Sequence, residues 1–260
     1  MLLLNYSDED KNLKNLNFKH KRSLKSNLKL IANTKITSHL ISTEKFDKGS
    51  ILVEEQKPVH GVYFIINGNV KIFNTGINQK KQTLRLLSNS DIVGLSSLNS
   101  PYYWASAIVV DNVEAYFINH KNLKTILKSN NKICILFLHE LSLRLRHYEI
   151  RQKHLSLLPA SERIIDAILL TAYKFGKIIG EGEIQISTCT SRKDLAEFAN
   201  TSVEQSIRTL KILKEKNYIS INGKSIIIRK KEELIAQLKQ YYDSEKLLDK
   251  FNFCYPDPIY

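Results

Sequence analysis

The chain has 260 residues, room for more than one domain, each with its own core. Lys and Arg number 39 against 26 Asp and Glu, a formal net charge of +13, which points to nucleic acid or another anionic surface as partner. No apolar run approaches the roughly 20 residues of a bilayer span, MLLL is too short for a signal-peptide core, and Cys134, Cys189 and Cys254 stand singly without zinc-ligand spacing. These features predict a cytoplasmic protein with no membrane partner, no bound metal and no cofactor.

Residues 1–30 form a basic N-terminal arm carrying Lys11, Lys14, Lys19, Lys21, Arg22, Lys25 and Lys29. Residues 31–128 read as a β domain. FDKGSILVEE, VYFIING, NVKIFNTG, QTLRLLS and EAYFINH are short runs rich in Val, Ile, Tyr and Phe, punctuated by Gly49, Gly61, Gly68, Gly76 and Gly94. Residues 129–158 switch to helical period. Cys134, Leu138, Leu141, Leu145, Tyr148, Gln152 and Leu155 alternate by four and three, the seam of a homodimeric coiled coil. The alternative is an amphipathic helix packed on its own domain.

Pro159 ends that helix, Ser161 is a candidate cap for the next, and GKIIGEGEIQIS reads as a hairpin. In residues 159–235, SRKDLAEFA and TSVEQSIRTLKILKEKN are two compact helices about a tight turn. NYISINGKSIIIRKK follows as two strands around Asn222-Gly223. This is the plan of a winged helix-turn-helix, whose second helix enters a DNA major groove. On that helix, spanning 202–216, the spacing puts Val203, Ile207, Leu210 and Leu213 on an apolar side and Glu204, Arg208 and Lys211 on the opposite one. Thr201 and Glu204 also match a capping box, a second role for the same carboxylate. Residues 236–260 complete an amphipathic helix and a tail.

The order of these parts resembles the catabolite activator and fumarate/nitrate reductase regulator (Crp/Fnr) family of transcription factors over about residues 40–235. The resemblance lies in FDKGSILVEEQKPVHGVYFIINGNVKIF, SNSDIVGLSSL and the whole winged segment. It implies an α+β fold: a cyclic-nucleotide-binding-type β-roll, a long dimerisation helix and a C-terminal winged helix-turn-helix. It further implies a homodimer on double-stranded DNA, with RNA polymerase as partner. Glu204 and Arg208 match the family's base-reading positions, and Val203 replaces the catabolite activator branch's arginine, which implies a TTGA-like half-site. Ser191, Arg192, Lys193, Ser202, Lys211 and Lys224 are the candidate phosphate contacts.

The effector pocket departs from the cyclic-AMP pattern. After Gly94 the family's glutamate is Leu95, and its Arg-Ser pair is Ala105-Ser106, so the phosphate loses its charge-assisted partner. Cyclic-AMP dependence is not expected, and the small-molecule effector is unknown. Haem through His60, His139, His147 or His154 has no selective signal. Tyr102, Tyr103 and Trp104 either line an apolar pocket or pack the β-roll against the long helix. No nucleophile–base pair at usable spacing suggests an enzyme. The competing function is a ligand-binding regulatory subunit that does not touch DNA.

Overall fold

A computed structural model describes residues 40–239 other than 181, together with 241. The expected basic arm at 1–30, Cys254 and the C-terminal tail lie outside the described residues.

The N-terminal part is a 6-stranded antiparallel sheet. Its strands are β1 (Ser42–Phe46), β2 (Ile51–Val53), β3 (Gly61–Thr75), β4 (Lys81–Leu87), β5 (Ile92–Val93) and β6 (Ser106–Asn119). β6 lies between β1 and β3, and β4 flanks β3 on the other side. VYFIING and NVKIFNTG, expected as two strands, are one strand, β3. Its register against β6 shifts around Asn67 and Asn69, and Gly68 at φ 101° makes the bend. A Cβ there would stand 2.1 Å from the Asn112 carbonyl oxygen. Bulges of this kind curl a sheet without breaking it. The curled interior buries Val53, Ile65, Val70, Leu87, Val93 and Ala107.

A short helix, α1 (His120–Ser129), leads into α2 (Asn131–Leu157). Asn119 and Asn130 cap them by accepting from the amides of Asn122 and Ile133. Ile133, Leu136 and Phe137 pack against the outside of the sheet. α3 (Ala160–Phe175) follows Pro159 without a side-chain cap. The expected Ser161 cap is not formed; that hydroxyl donates to the Glu162 carboxylate.

The C-terminal part holds α4 (Arg192–Ala199), α5 (Val203–Glu215), α6 (Lys231–Lys239) and a 4-stranded sheet. The hairpin of β7 (Lys177–Ile179) and β8 (Glu183–Ile186) joins the wing of β9 (Ile219–Asn222) and β10 (Ser225–Ile228) through β8–β10 pairing. Its core of Ile164, Ile168, Leu195, Phe198, Leu210, Leu213, Leu234 and Leu238 also takes in Leu86 of β4. The two parts are therefore packed against one another. Lys71 of β3 meets Asp194 of α4 at 2.8 Å, and Lys174 of α3 meets Asp91 at 2.8 Å. No helix among the described residues is long and apolar enough to cross a membrane.

Candidate nucleic-acid interface

The turn between α4 and α5 is made by Asn200 in the left-handed region, φ 48°, a conformation that asparagine tolerates. Ser202, not Thr201, caps α5 by accepting from the Gln205 amide at 3.2 Å. The capping-box role expected for Thr201 and Glu204 is therefore absent, and Glu204 stands in solvent in the first turn, two residues after the cap. Its own backbone amide and the Ser202 hydroxyl hold its carboxyl below the ordinary value. An ionised carboxylate is an acceptor only, as cytosine N4 requires.

The buried side of α5 is Ser206, Thr209, Leu210 and Leu213. Ile207 and Val203 are not in the core: they are 53% and 38% exposed. The correction has a packing reason. Small Ser206 and Thr209 let α5 approach its neighbours closely, and the contact stripe rotates toward them. The open face consequently carries Val203, Glu204, Ile207, Arg208 and Lys211 together. Two apolar and three charged side chains stand side by side on one accessible surface.

Of the candidate phosphate contacts, Arg192, Lys193, Lys211 and Lys224 are exposed. Lys211 is only loosely paired with Glu215, at 3.9 Å. The hydroxyls of Ser191 and Ser202 are engaged as caps of α4 and α5. Thr190 donates to the Lys224 carbonyl and ties the wing to the start of α4.

Helix α2 has two faces. Ile133, Leu136, Phe137, Glu140 and Arg144 are buried on their own domain. Leu138, Leu141, Leu145 and Tyr148 point away from it and are 60%, 41%, 61% and 42% exposed. Gln152 is exposed as well, whereas Leu155 is half-buried. Ile135, 62% exposed, extends the apolar stripe.

At the junction of α2 and α3, Arg151 donates to Asp166 at 2.5 Å and to the Phe198 carbonyl. His154, one of the expected haem candidates, is buried with Nδ1 2.8 Å from Asp166. This group holds α2, α3 and α4 in fixed relation. Sequence reasoning missed it because its members are 15 residues apart at the Arg151–Asp166 bond and 47 at Arg151–Phe198. No group of three or more His, Cys, Asp or Glu among the described residues could hold a metal. Burial pushes the Cys189 thiol up to about 12, with the Asp194 charge adding to it, which leaves it protonated.

The effector region is a cavity of about 30 Å³ inside the sheet. Gly94 and Ala105 line it. Leu95 does not: it is buried in the core beneath α1 and α2. Ser106 does not either; its hydroxyl accepts from the Glu55 amide at 3.0 Å. The expectation of four neighbouring pocket residues is corrected to two. Tyr103 is buried and lines the cavity, its hydroxyl donating to the Gly61 carbonyl at 3.0 Å. Tyr102 and Trp104 are 55% and 66% exposed and do not pack the β domain onto α2. The remaining wall includes two residues that sequence reasoning passed over, Arg85 and Arg144. A lone arginine inside the apolar run LRLL was the available signal.

The family descriptions that match are a cyclic nucleotide-binding domain over residues 43–130 and a Crp-like helix-turn-helix domain over residues 162–237. The chain is 29% identical over 204 residues to the anaerobic regulatory protein of Bacillus subtilis (strain 168), covering 76% of this chain and 85% of that protein. It is 25% identical over 195 residues to a CRP-like cAMP-activated global transcriptional regulator of Mycobacterium tuberculosis (strain CDC 1551 / Oshkosh), covering 75% and 87%. In fold it resembles FixK2 from Bradyrhizobium japonicum, with a TM-score of 0.66 at 18% identity over 75% of this chain and 96% of that one. The helix-turn-helix match sets aside a sensor that does not touch DNA, and the relatives are regulators rather than enzymes. The chain belongs to the Crp/Fnr family of DNA-binding transcription regulators.

Proposed function

We propose that two copies pair along α2 and read a palindromic, TTGA-like site, each placing its α5 in the major groove. The observation that carries this reading is the uncovered face of α5. Arg208 offers a bidentate donor pair for guanine O6 and N7, and Glu204 an acceptor for cytosine N4. Val203 and Ile207, exposed beside them, supply apolar surface for thymine methyl groups. Arg192, Lys193, Lys211 and Lys224 would meet phosphates and set a salt-dependent affinity without reading sequence. Ser191 and Ser202, though used as caps, keep their helix N-termini open toward an anion.

The exposed stripe of Leu138, Leu141, Leu145 and Tyr148, with Gln152 continuing it and Leu155 at its end, is the surface for the second copy. Such a dimer presents two reading helices about 34 Å apart, one turn of DNA. Bound in the cytoplasm, it would act on transcription through RNA polymerase. Cyclic AMP is not its signal, because Ala105 and Leu95 provide neither of the charged groups that such a ligand needs. Selection of bound sites from random duplex DNA, with purified protein at stated salt and no added ligand, tests the reading. Enrichment of an inverted TTGA-like repeat is expected. A motif without two-fold symmetry, or no motif, overturns it.

A further inference from the structure

The reading helix α5 follows closely on the C-terminal end of α4, and that end is gripped from two sides. The last carbonyls of a helix receive no intrahelical donor and carry the negative end of its dipole. Here three consecutive ones take guanidinium donors. Arg151 of α2 donates through Nη2 to the Phe198 carbonyl. Arg163 of α3 donates through Nε to the Ala199 carbonyl at 2.9 Å and through Nη2 to the Asn200 carbonyl at 3.3 Å. Its remaining nitrogen, Nη1, reaches back to the Leu155 and Leu158 carbonyls at the end of α2, at 3.4 and 3.3 Å. Asn200 is the left-handed turn residue, and α5 is capped two residues later at Ser202.

The grip is also stiff. Arg151 uses Nη1 for Asp166, whose side chain is fully buried, and the other oxygen of that carboxylate meets His154 Nδ1 at 2.8 Å. The Arg151 guanidinium also lies 4.5 Å from the centre of the Phe198 ring. A buried carboxylate is tolerated only with its oxygens bonded, and taking a charged partner away leaves an uncompensated charge. Swinging α3 and α4 against α2 would do that, so the joint has one arrangement of low energy. The start of α4 is held independently, by Lys71 of β3 against Asp194 and Glu197 at 2.8 and 3.6 Å.

On the reading that two copies pair along α2, we propose that Arg151 and Arg163 are positioning residues that set the spacing between the two half-sites. They make the turn before α5 a rigid continuation of the pairing helix, so the distance between the two reading faces is fixed before DNA arrives. Small angles matter at this joint. Each α5 would stand about 17 Å from the two-fold axis, half of one DNA turn. At that radius a swing of roughly 10° moves it about 3 Å, close to the step of about 3.4 Å between successive bases. Both arginines are half-buried and act through α5, not on a base. What they determine is which spacer lets both helices read at once.

The test is competition titration of the full chain, at fixed salt, against duplexes whose inverted TTGA-like half-sites are separated by spacers that differ one base pair at a time. A duplex with a single half-site is the reference. The wild-type chain is expected to prefer one spacer. Arg151→Lys and Arg163→Lys each keep the positive charge but lose the planar fork that serves several acceptors. In each variant the preference for that spacer over its neighbours is expected to fall by about tenfold. Affinity for the single half-site and sedimentation as a dimer are expected to stay as in wild type. A sharp spacer preference kept in both variants overturns the proposal and leaves the dimeric reading standing. Equal weakening on every duplex, the single half-site included, marks a merely structural role and also overturns it. A wild-type chain that binds no spacer better than the single half-site sinks the dimeric reading itself, and the proposal with it.

Discussion

Arg208 and Arg85 are both guanidiniums without a carboxylate partner among the described residues, but their surroundings differ. Arg208 stands in water on the front of one helix, beside Glu204 and Ile207. Arg85 stands half-buried in a cavity whose walls include residues of β2, β3, β4, β5 and α2. The first arrangement is set by positions four apart on a single helix. The second exists only when a curled sheet meets a long helix. The difference suits two tasks: an open face is shaped to meet a large external surface, and a small cavity has room only for a small group.

The largest effect is expected from the seam that would pair two reading faces. Leu145→Glu sets like charges opposite one another in the dimer, and sedimentation should show monomers. Affinity for a two-half-site duplex should fall by about 100-fold or more, because the second half-site no longer benefits from tethering. An unchanged dimer would mean that the apolar stripe on α2 has another occupant.

At the reading face itself, Arg208→Ala should cost about 1–3 kcal/mol in DNA affinity and relax selection at one guanine. A competition titration over single-base variants measures both. Retention of affinity and selectivity would move the base contact elsewhere on α5.

The smallest effect concerns the ion pair that fastens the two regions together. Burial raises the Asp194 carboxyl, but the Lys71 hydrogen bond, the Ser191 hydroxyl and the Lys71 charge outweigh it, leaving it below the ordinary value. For Lys71, burial lowers the ammonium and the Asp194 hydrogen bond and charge more than restore it, with a net upward shift. A depressed carboxyl stabilises the fold above its unfolded value, near 3.9, and loses that contribution as pH falls through the folded value. A raised ammonium stabilises below about 10.4 and loses that contribution as pH rises through its folded value. Lys71→Met should therefore flatten the loss of thermal stability below about pH 4. The partly exposed pair is expected to contribute under about 1 kcal/mol. Identical acid limbs in the two proteins would remove the fastening role.

Much of the DNA end is legible in the residues because its determinants are local. Helical period and a Ser or Asn at each boundary mark α4 and α5, and Asn222-Gly223 marks the wing turn. The same period marks Leu138, Leu141, Leu145 and Tyr148 on α2. Even there, apolar character misplaced Ile207. Periodicity fixes which residues share a side of a helix, but the neighbouring helices decide which side they cover.

By itself, the amino-acid sequence determined the order of parts, the family and the residue types on the reading helix. Those follow from spacing along the chain and from short-range capping. Tertiary structure alone decided that VYFIING and NVKIFNTG run as one strand bent at Gly68. It also decided that Leu95 turns into the core and that Arg85 meets Arg144 across a cavity. Arg85 and Arg144 belong to different elements, and only the curl of the sheet against α2 brings their charges together.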